Sequence, residues 1–253
     1  MSLKGKTVVI TGGGRGLGLA WARGCAEVGA DLAVIDILET PEPGFELLEK
    51  ECGVKVRYYR GDVVDFPQLK EIFASIVEEF GGIYGLVTAA GKGSSGAFVD
   101  CSVEQLQKTL DVNVLGTIYP CKLAVEQMLL QQRGGSIVTV NSIATFSSCG
   151  NRMKSDYSAS KGAVLSFSKA LAIELASKQI RVNSMCPGYF LTNMSPGYLQ
   201  KDVEKLKGIE KEIPLGRFAD RAELKAMVPF LLSDASSYTT GANFLVDGGV
   251  LAD

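Results

Sequence analysis

The sequence contains no histidine. A Ser-His-Asp triad and a His-ligated metal are thereby excluded, and any acid–base chemistry must fall to other side chains. Long apolar runs are also missing: nothing approaches the ~18 residues of a membrane-spanning helix. The opening segment, Met1 to Lys6, is too polar for a signal peptide. Charge of one sign is lacking as well. Lys and Arg number 26 against 28 Asp and Glu, a formal net charge of −2. That balance offers no electrostatic case for nucleic acid or an anionic membrane as partner. The six cysteines, at positions 25, 52, 101, 121, 149 and 186, include no Cys-x-x-Cys and no paired spacing. They read as reduced thiols, which points to a cytoplasmic protein with no metal.

What the chain does have is length and apolar content. Its 253 residues, 46% hydrophobic, suit one globular domain over residues 1–253 with a sizeable core. No repeat or linker interrupts it. Short apolar runs alternate with longer amphipathic ones. Strands are expected at Thr7 to Thr11, Asp31 to Asp36, Val54 to Tyr59, Ile83 to Thr88, Ser136 to Asn141, Ile180 to Met185 and Asn243 to Val246. Helices are expected at Leu17 to Val28, Phe66 to Phe80, Val103 to Gln131, Tyr157 to Lys178 and Ala222 to Leu232. This alternation predicts an α/β fold: a doubly wound, Rossmann-type parallel sheet of seven strands, in the order 3-2-1-4-5-6-7, with helices on both faces. Ligand then belongs at the C-terminal ends of the strands.

Two stretches carry chemistry. The first, Thr11-Gly12-Gly13-Gly14-Arg15-Gly16-Leu17-Gly18, joins the first strand to the first helix. Without side chains its backbone can turn tightly and approach a pyrophosphate, while the helix N-terminus offers free N–H groups. Asp36, at the end of the next strand, can accept hydrogen bonds from ribose hydroxyls and would repel a 2′-phosphate, which favours NAD over NADP. Arg15 weighs the other way, since a guanidinium could reach that phosphate. The second stretch is Tyr157-Ser158-Ala159-Ser160-Lys161. Tyr157 and Lys161 are four apart and share a helix face. An ammonium near a phenol favours the phenolate, making the pair a candidate proton donor and acceptor.

Taken together, these motifs resemble the classical short-chain dehydrogenase/reductase family over nearly the whole chain. Its T-G-x-x-x-G-x-G motif is matched by Thr11, Gly12, Gly16 and Gly18, its adenine-contacting Asp by Asp62 followed by Val63, and its Pro-Gly by Pro187-Gly188. Its Asn-Asn-Ala-Gly motif is altered to Thr88-Ala89-Ala90-Gly91. Its catalytic set corresponds to Asn113, Ser142, Tyr157 and Lys161. Ser142 stands 15 residues before Tyr157, somewhat farther than the family pattern, so Ser147 and Ser148 are rivals. Ser142 is preferred because it sits at a strand end, where geometry is rigid. Val246-Asp247-Gly248-Gly249 resembles the family's closing signature, and Ala22 to Ala30 gives the chain the flavour of sorbose reductase or arabinitol dehydrogenase.

The resemblance implies hydride transfer between a nicotinamide cofactor and an alcohol/ketone pair, with a polyol-like small molecule as substrate. Tyr157 would be the acid/base, Lys161 would lower its pKa and hold the nicotinamide ribose, Ser142 would polarise the substrate oxygen, and Asn113 would anchor a water leading to Lys161. The cofactor would contact Gly12, Gly14, Arg15, Gly16, Leu17, Gly18, Asp36, Ile37, Asp62, Val63, Ala89, Ala90, Gly91, Asn113, Tyr157, Lys161, Pro187, Gly188, Tyr189, Leu191, Thr192, Asn193 and Met194. Residues 192–215 would form a substrate lid, and a homotetramer would use the apolar surplus on the two long helices. The rival readings are reduction of a larger ketone or imine, redox coupled to cyclisation, and a non-catalytic dinucleotide sensor.

Overall fold

The computed structural model describes residues 1–93, 97–147, 155–191 and 203–252. Seven strands form one parallel sheet: β1 (Thr7–Thr11), β2 (Asp31–Asp36), β3 (Val56–Arg60), β4 (Gly85–Thr88), β5 (Gly135–Val140), β6 (Ile180–Pro187) and β9 (Asn243–Val246). Their order is β3-β2-β1-β4-β5-β6-β9, the expected 3-2-1-4-5-6-7 with β9 as the seventh strand. Two short strands before it, β7 (Phe190–Leu191) and β8 (Ala219–Asp220), pair with each other and lie outside the expected set.

The strands are apolar at nearly every position because both sheet faces are covered. Val8, Ile10, Val34, Val87 and Val138 point to one side, against Trp21 of α1 (Gly16–Glu27) and Leu231 of α8 (Met227–Leu232). Val9, Ala33, Leu86, Ile137 and Val182 point to the other. There they meet Phe73 of α3 (Phe66–Phe80), Ala124 of α5 (Gly116–Gln131) and Leu175 of α6 (Ser155–Leu175). Burial on both sides removes most apolar side chains from water, at roughly 25 cal/mol per Å². A short helix, α2 (Leu48–Cys52), precedes β3 and ends at Gly53 in the left-handed conformation.

The expected helix from Val103 to Gln131 is two helices. α4 (Val103–Leu110) begins in a capping box, in which Ser102 and Gln105 satisfy each other's backbone N–H groups. A wider π-type turn, Asp111–Leu115, then separates it from α5. The extra residue in that turn rotates Asn113 inward, where it is fully buried. The expected helix from Ala222 is likewise divided, into a tight turn at Arg221–Leu224 and α8. Of the expected lid, the described part is α7 (Val203–Glu210) and residues 211–215. Ile209 and Ile213 pack there on Phe218, with Tyr189 and Val250 alongside. Among the described residues, no helix is long and apolar enough to cross a membrane.

Candidate active site

The Gly-rich loop turns out of β1 directly into α1. Gly12 has φ +67, and a Cβ there would lie 2.5 Å from the Ala90 backbone nitrogen. A Cβ on Gly18 would overlap the Gly12 carbonyl. These two glycines therefore let the loop press against the end of β4 and the start of α1. Gly16, with φ +59, has nothing within 4 Å of its Cβ position. The open side of the loop thus faces free space beside an uncapped helix N-terminus, since Arg15 makes no side-chain cap. That cradle fits a dinucleotide's pyrophosphate. Leu17 packs against the core beneath it.

Asp36 lies beside the loop, with Oδ2 accepting from the Gly14 N–H at 2.9 Å and Oδ1 from the Leu38 N–H at 3.2 Å. Ile37, next along, is 58% exposed. After β3, Asp62 accepts from the Val64 N–H at 3.1 Å, and Val63 is buried against Gly116, where any Cβ would meet its side chain. The loops after β1, β2 and β3 thus line one crevice at the C-terminal ends of the strands.

The altered segment after β4 is tied in a different way from the family's asparagine. Thr11, Thr88, Thr139, Ser184 and Asn243 stand in one register row across five strands. Thr139 Oγ1 is shared with Ser168 at 2.8 Å and Ser184 at 2.9 Å. Thr88 Oγ1 and Asn243 Oδ1 are buried without a hydrogen-bond partner among the described residues. The backbone beyond Thr88 is held instead by its neighbours: the Ala89 N–H donates to the Thr11 carbonyl at 3.0 Å. Asn113 then grips Lys92 from both sides, accepting from its N–H at 2.7 Å and donating to its carbonyl at 3.0 Å.

Asn113 also donates to Ser160 Oγ at 2.9 Å, and Ser160 donates to the Tyr157 carbonyl at 2.7 Å. The π-type turn is therefore stitched to the first turn of α6. Four residues beyond Tyr157 on that helix, Lys161 is almost fully buried, and its Nζ donates to the Val140 carbonyl at 2.8 Å. Its Nζ stands 5.8 Å from the centre of the Tyr157 ring. Ser142 sits just past the end of β5, where its Oγ accepts from the Ala144 N–H at 3.2 Å and its hydroxyl favours the charged form of the Tyr157 phenol. Of the rival serines, Ser147 is exposed and Ser148 lies outside the described residues.

One electrostatic expectation is reversed in the ligand-free protein. Lys161 does not draw the Tyr157 pKa down: burial pushes the phenol up, opposed only by the Ser142 hydrogen bond. Burial also pulls the Lys161 ammonium down to about 8, with Cys186 close by. Both shifts have one cause, because a poorly hydrated pocket disfavours either charge.

On the far wall, Pro187 ends β6, and the Gly188 N–H donates to the Val246 carbonyl at 2.9 Å. A Cβ on Gly188 would sit 2.6 Å from Asp247 Cα, so this turn and the closing Asp247-Gly248-Gly249 segment fit only without a side chain. Phe190 is buried in the core, whereas Tyr189 is partly buried and Leu191 exposed. Thr192, Asn193, Met194 and Cys149 lie outside the described residues.

Of the expected residues, those of the Gly-rich loop, the segment after β4 and the Ser142, Tyr157 and Lys161 group lie at the C-terminal ends of the strands, while Thr192, Asn193 and Met194 lie outside the described residues. The geometry adds several that the sequence motifs do not single out: Ser160, Lys92 and Cys186 around Tyr157 and Lys161, and Tyr58 and Arg60 near Asp36. Ser160 is legible in principle, lying inside the Tyr157-to-Lys161 motif. The others meet the site only through sheet register or loop closure.

A family profile described as enoyl-(acyl carrier protein) reductase matches residues 12–251. The chain is 38% identical to an NADP-dependent mannitol dehydrogenase of Hypocrea jecorina, over 98% of this chain and 93% of that one. It is also 38% identical to a human 3-oxoacyl-[acyl-carrier-protein] reductase, over 97% and 98%. Among solved structures, a gluconate 5-dehydrogenase from Burkholderia cenocepacia in complex with NADP and tartrate superposes with a TM-score of 0.92 at 27% identity, covering 100% of this chain and 97% of that one. A doubly wound sheet with a Ser, Tyr and Lys gathered beside a Gly-rich loop defines a class of oxidoreductase. The chain belongs to the short-chain dehydrogenase/reductase family.

Proposed function

We propose that the protein interconverts a secondary alcohol of the polyol class and its ketone, using NAD(P). The observation that carries this reading is the cluster of Ser142, Tyr157 and Lys161 beside Gly91. A Cβ at Gly91 would lie 3.8 Å from Lys161 Nζ and 3.5 Å from Asn113 Oδ1, so this strand-end backbone stands directly beside the lysine. When bound, the nicotinamide supplies the hydride acceptor or donor. The chain's own residues handle the substrate oxygen. Tyr157 takes its proton in oxidation and returns it in reduction. Ser142 donates a hydrogen bond to it where negative charge develops. Lys161 stabilises the phenolate once a ligand brings the two groups together, and Asn113 holds the α4–α5 turn against α6.

The mannitol and gluconate dehydrogenases support the polyol reading. The acyl-carrier relative supports a second one, reduction of a larger ketone. Turnover with a panel of polyols and ketoses, set against a 3-oxoacyl thioester, separates the two. The expected preference for NAD rests on Asp36, and the NADP named for the relatives weighs against it. The first test is paired titration with NADH and NADPH, followed by fluorescence of the single tryptophan, Trp21. Binding of neither would overturn the dinucleotide reading altogether.

We place the protein in the cytoplasm, in keeping with its free cysteines among the described residues. We also propose a homotetramer, which would cover Val103, Leu130 and Ile173, all more than 70% exposed on the long helices. Light scattering in solution that returns a monomer mass would remove that proposal.

A further inference from the structure

Lys92 stands apart from the other described lysines. It is partly buried, and its ammonium makes no ion pair or side-chain hydrogen bond among the described residues. The remaining partly buried lysines each hold a carboxylate: Lys6 reaches Asp234 at 2.9 Å, Lys55 reaches Glu79 at 3.2 Å and Lys225 reaches Glu27 at 2.7 Å. Lys161, deeper still, donates to the Val140 carbonyl at 2.8 Å. Lysines without such a contact, Lys50, Lys108 and Lys169 among them, are exposed, so water serves as their partner. An ammonium drawn partly out of water with nothing to pair it is destabilising. A flexible stem lets a lysine avoid that by swinging outward, and Lys92 does not.

Its backbone is pinned beside the site. Asn113 accepts from the Lys92 N–H at 2.7 Å and donates to the Lys92 carbonyl at 3.0 Å. The same amide donates to Ser160 Oγ at 2.9 Å, and Ser160 donates to the Tyr157 carbonyl at 2.7 Å. A chain of hydrogen bonds therefore fixes Lys92 relative to the turn that carries Tyr157. The segment after β4 also has a direction. Ala90 lies against Gly12 of the Gly-rich loop, Gly91 comes next beside Lys161, and Lys92 follows. The chain thus passes from the pyrophosphate cradle to Lys161 and then to Lys92, which puts Lys92 at the substrate end of the crevice. The carboxylates of the two elements joined by Asn113 and Ser160 bind elsewhere. Asp111 of the π-type turn accepts from Gln107 at 2.7 Å, and Asp156 at the start of α6 accepts from Thr109 at 3.0 Å.

We propose that Lys92 is a specificity-determining residue that seats an anionic group carried by the substrate, a carboxylate or a phosphate ester on a carbon away from the reacting hydroxyl. The inference rests on the polyol reading above and deepens it: the substrate is a sugar acid or a phosphorylated polyol, not a neutral one. An ammonium is a compact charge with rotatable donors, and it suits either anion. Holding the anion at one point sets the carbon chain in one register, so that a single hydroxyl meets Ser142 and Tyr157. A neutral chain of similar hydroxyls has no such fixed end and would present several carbons in turn.

The test is steady-state oxidation of D-glucitol, D-gluconate and D-glucitol 6-phosphate by the whole protein, with NAD and with NADP. The three share a six-carbon chain and differ in charge. At least one anionic substrate should exceed D-glucitol in kcat/KM by about tenfold, with a margin that shrinks as salt rises. Lys92→Met should erase that margin, mainly through KM, and Lys92→Arg should keep most of it. NADH and NADPH, titrated by Trp21 fluorescence, should bind Lys92→Met within about twofold of wild type. A wild type that prefers D-glucitol, or a Lys92→Met loss equal on charged and neutral substrates, overturns the proposal and leaves the polyol reading standing. Weaker binding of both coenzymes by Lys92→Met overturns it too, and gives the ammonium to the dinucleotide phosphates. Turnover of none of the three, with coenzyme bound, defeats the polyol reading beneath it as well.

Discussion

The Ser142 hydroxyl, just past the end of β5, lies near enough to the Tyr157 phenol, in the first turn of α6, to oppose the upward push of burial on its pKa. The two groups remain neighbours across a spacing of 15 residues. Tyr157→Phe keeps the ring and removes the proton. Its kcat should fall by ~10²–10⁴-fold, while coenzyme binding followed by Trp21 fluorescence stays within about twofold of wild type. Ser142→Ala should lose on the order of 10²-fold. Unchanged turnover in Tyr157→Phe would remove the acid–base role from Tyr157, whereas coenzyme binding without any turnover in the wild type would return the protein to the sensor reading.

The buried phenol has a spectroscopic consequence. With its pKa held above the ordinary 10.0 by desolvation, Tyr157 should stay protonated below pH 10 in the ligand-free protein. The difference between wild-type and Tyr157→Phe tyrosinate absorbance would show this directly. Oxidised coenzyme brings a positive ring and should move that ionisation to lower pH. A Tyr157 tyrosinate signal at neutral pH without coenzyme would contradict the desolvation account.

Lys161 makes a stability prediction of definite sign. Its folded value of about 8 lies below the ordinary 10.5. Below pH 8 both folded and unfolded chains carry the proton, so the full penalty of burying a charge is present, at most about 3 kcal/mol. Between pH 8 and 10.5 the unfolded chain holds more protons, and stability contributed by this residue rises with pH. Lys161→Met should therefore be more stable than wild type at pH 7, less the hydrogen bond lost by the Val140 carbonyl, and should lose that advantage by pH 10. Urea midpoints at the two pH values check it. An advantage of equal size at both would mean that packing, not charge, is responsible.

How much of this was visible in the chain differs between strands and helices. β9 begins and ends where its apolar run does, and β2 is bounded by Asp31 and Asp36 as expected. Strands buried on both faces announce themselves by composition alone. The break at Asn113 did not, because a π-type turn keeps the apolar spacing of a helix and inserts only one residue. β7 and β8 are two residues each and form only once Tyr189 and Ala219 are brought together. In the site, the Gly-rich loop, Asp36, Tyr157 and Lys161 were readable from local spacing, whereas Ser142 was preferred over Ser147 and Ser148 for its place at a strand end, its spacing from Tyr157 being longer than the family pattern. Arg60 was not, since nothing near it in sequence marks it, and only the β2–β3 register puts it beside Asp36.

Asn113 is a positioning residue whose loss should be felt twice. Asn113→Leu would strip the Lys92 N–H, the Lys92 carbonyl and Ser160 of their partners. Lys92 is partly exposed, so water recovers some of that, and a cost of about 2–3 kcal/mol in unfolding free energy is expected. The segment from Ala89 to Lys92 would also loosen, weakening coenzyme binding. Asn113→Asp keeps the acceptor for the Lys92 N–H and should bind coenzyme better than Asn113→Leu. Equal coenzyme affinity in both variants and wild type would confine Asn113 to a stability role.

Two glycines of one loop should respond oppositely to the same substitution. Both Gly12 and Gly16 have positive φ, so alanine at either carries a backbone strain of roughly 1 kcal/mol. At Gly16 that is the whole cost in the ligand-free protein, because the added methyl enters open space. At Gly12 the methyl would meet the backbone of Ala89 and Ala90, which neighbouring strands hold in place. Gly12→Ala should therefore lower the thermal midpoint by several degrees, by parting β1 from the end of β4. Gly16→Ala should fold nearly as well as wild type and yet lose coenzyme affinity, because its methyl occupies the space where the pyrophosphate would approach. Gly16→Ala binding NADPH as well as wild type would mean that the dinucleotide takes a different path over the loop.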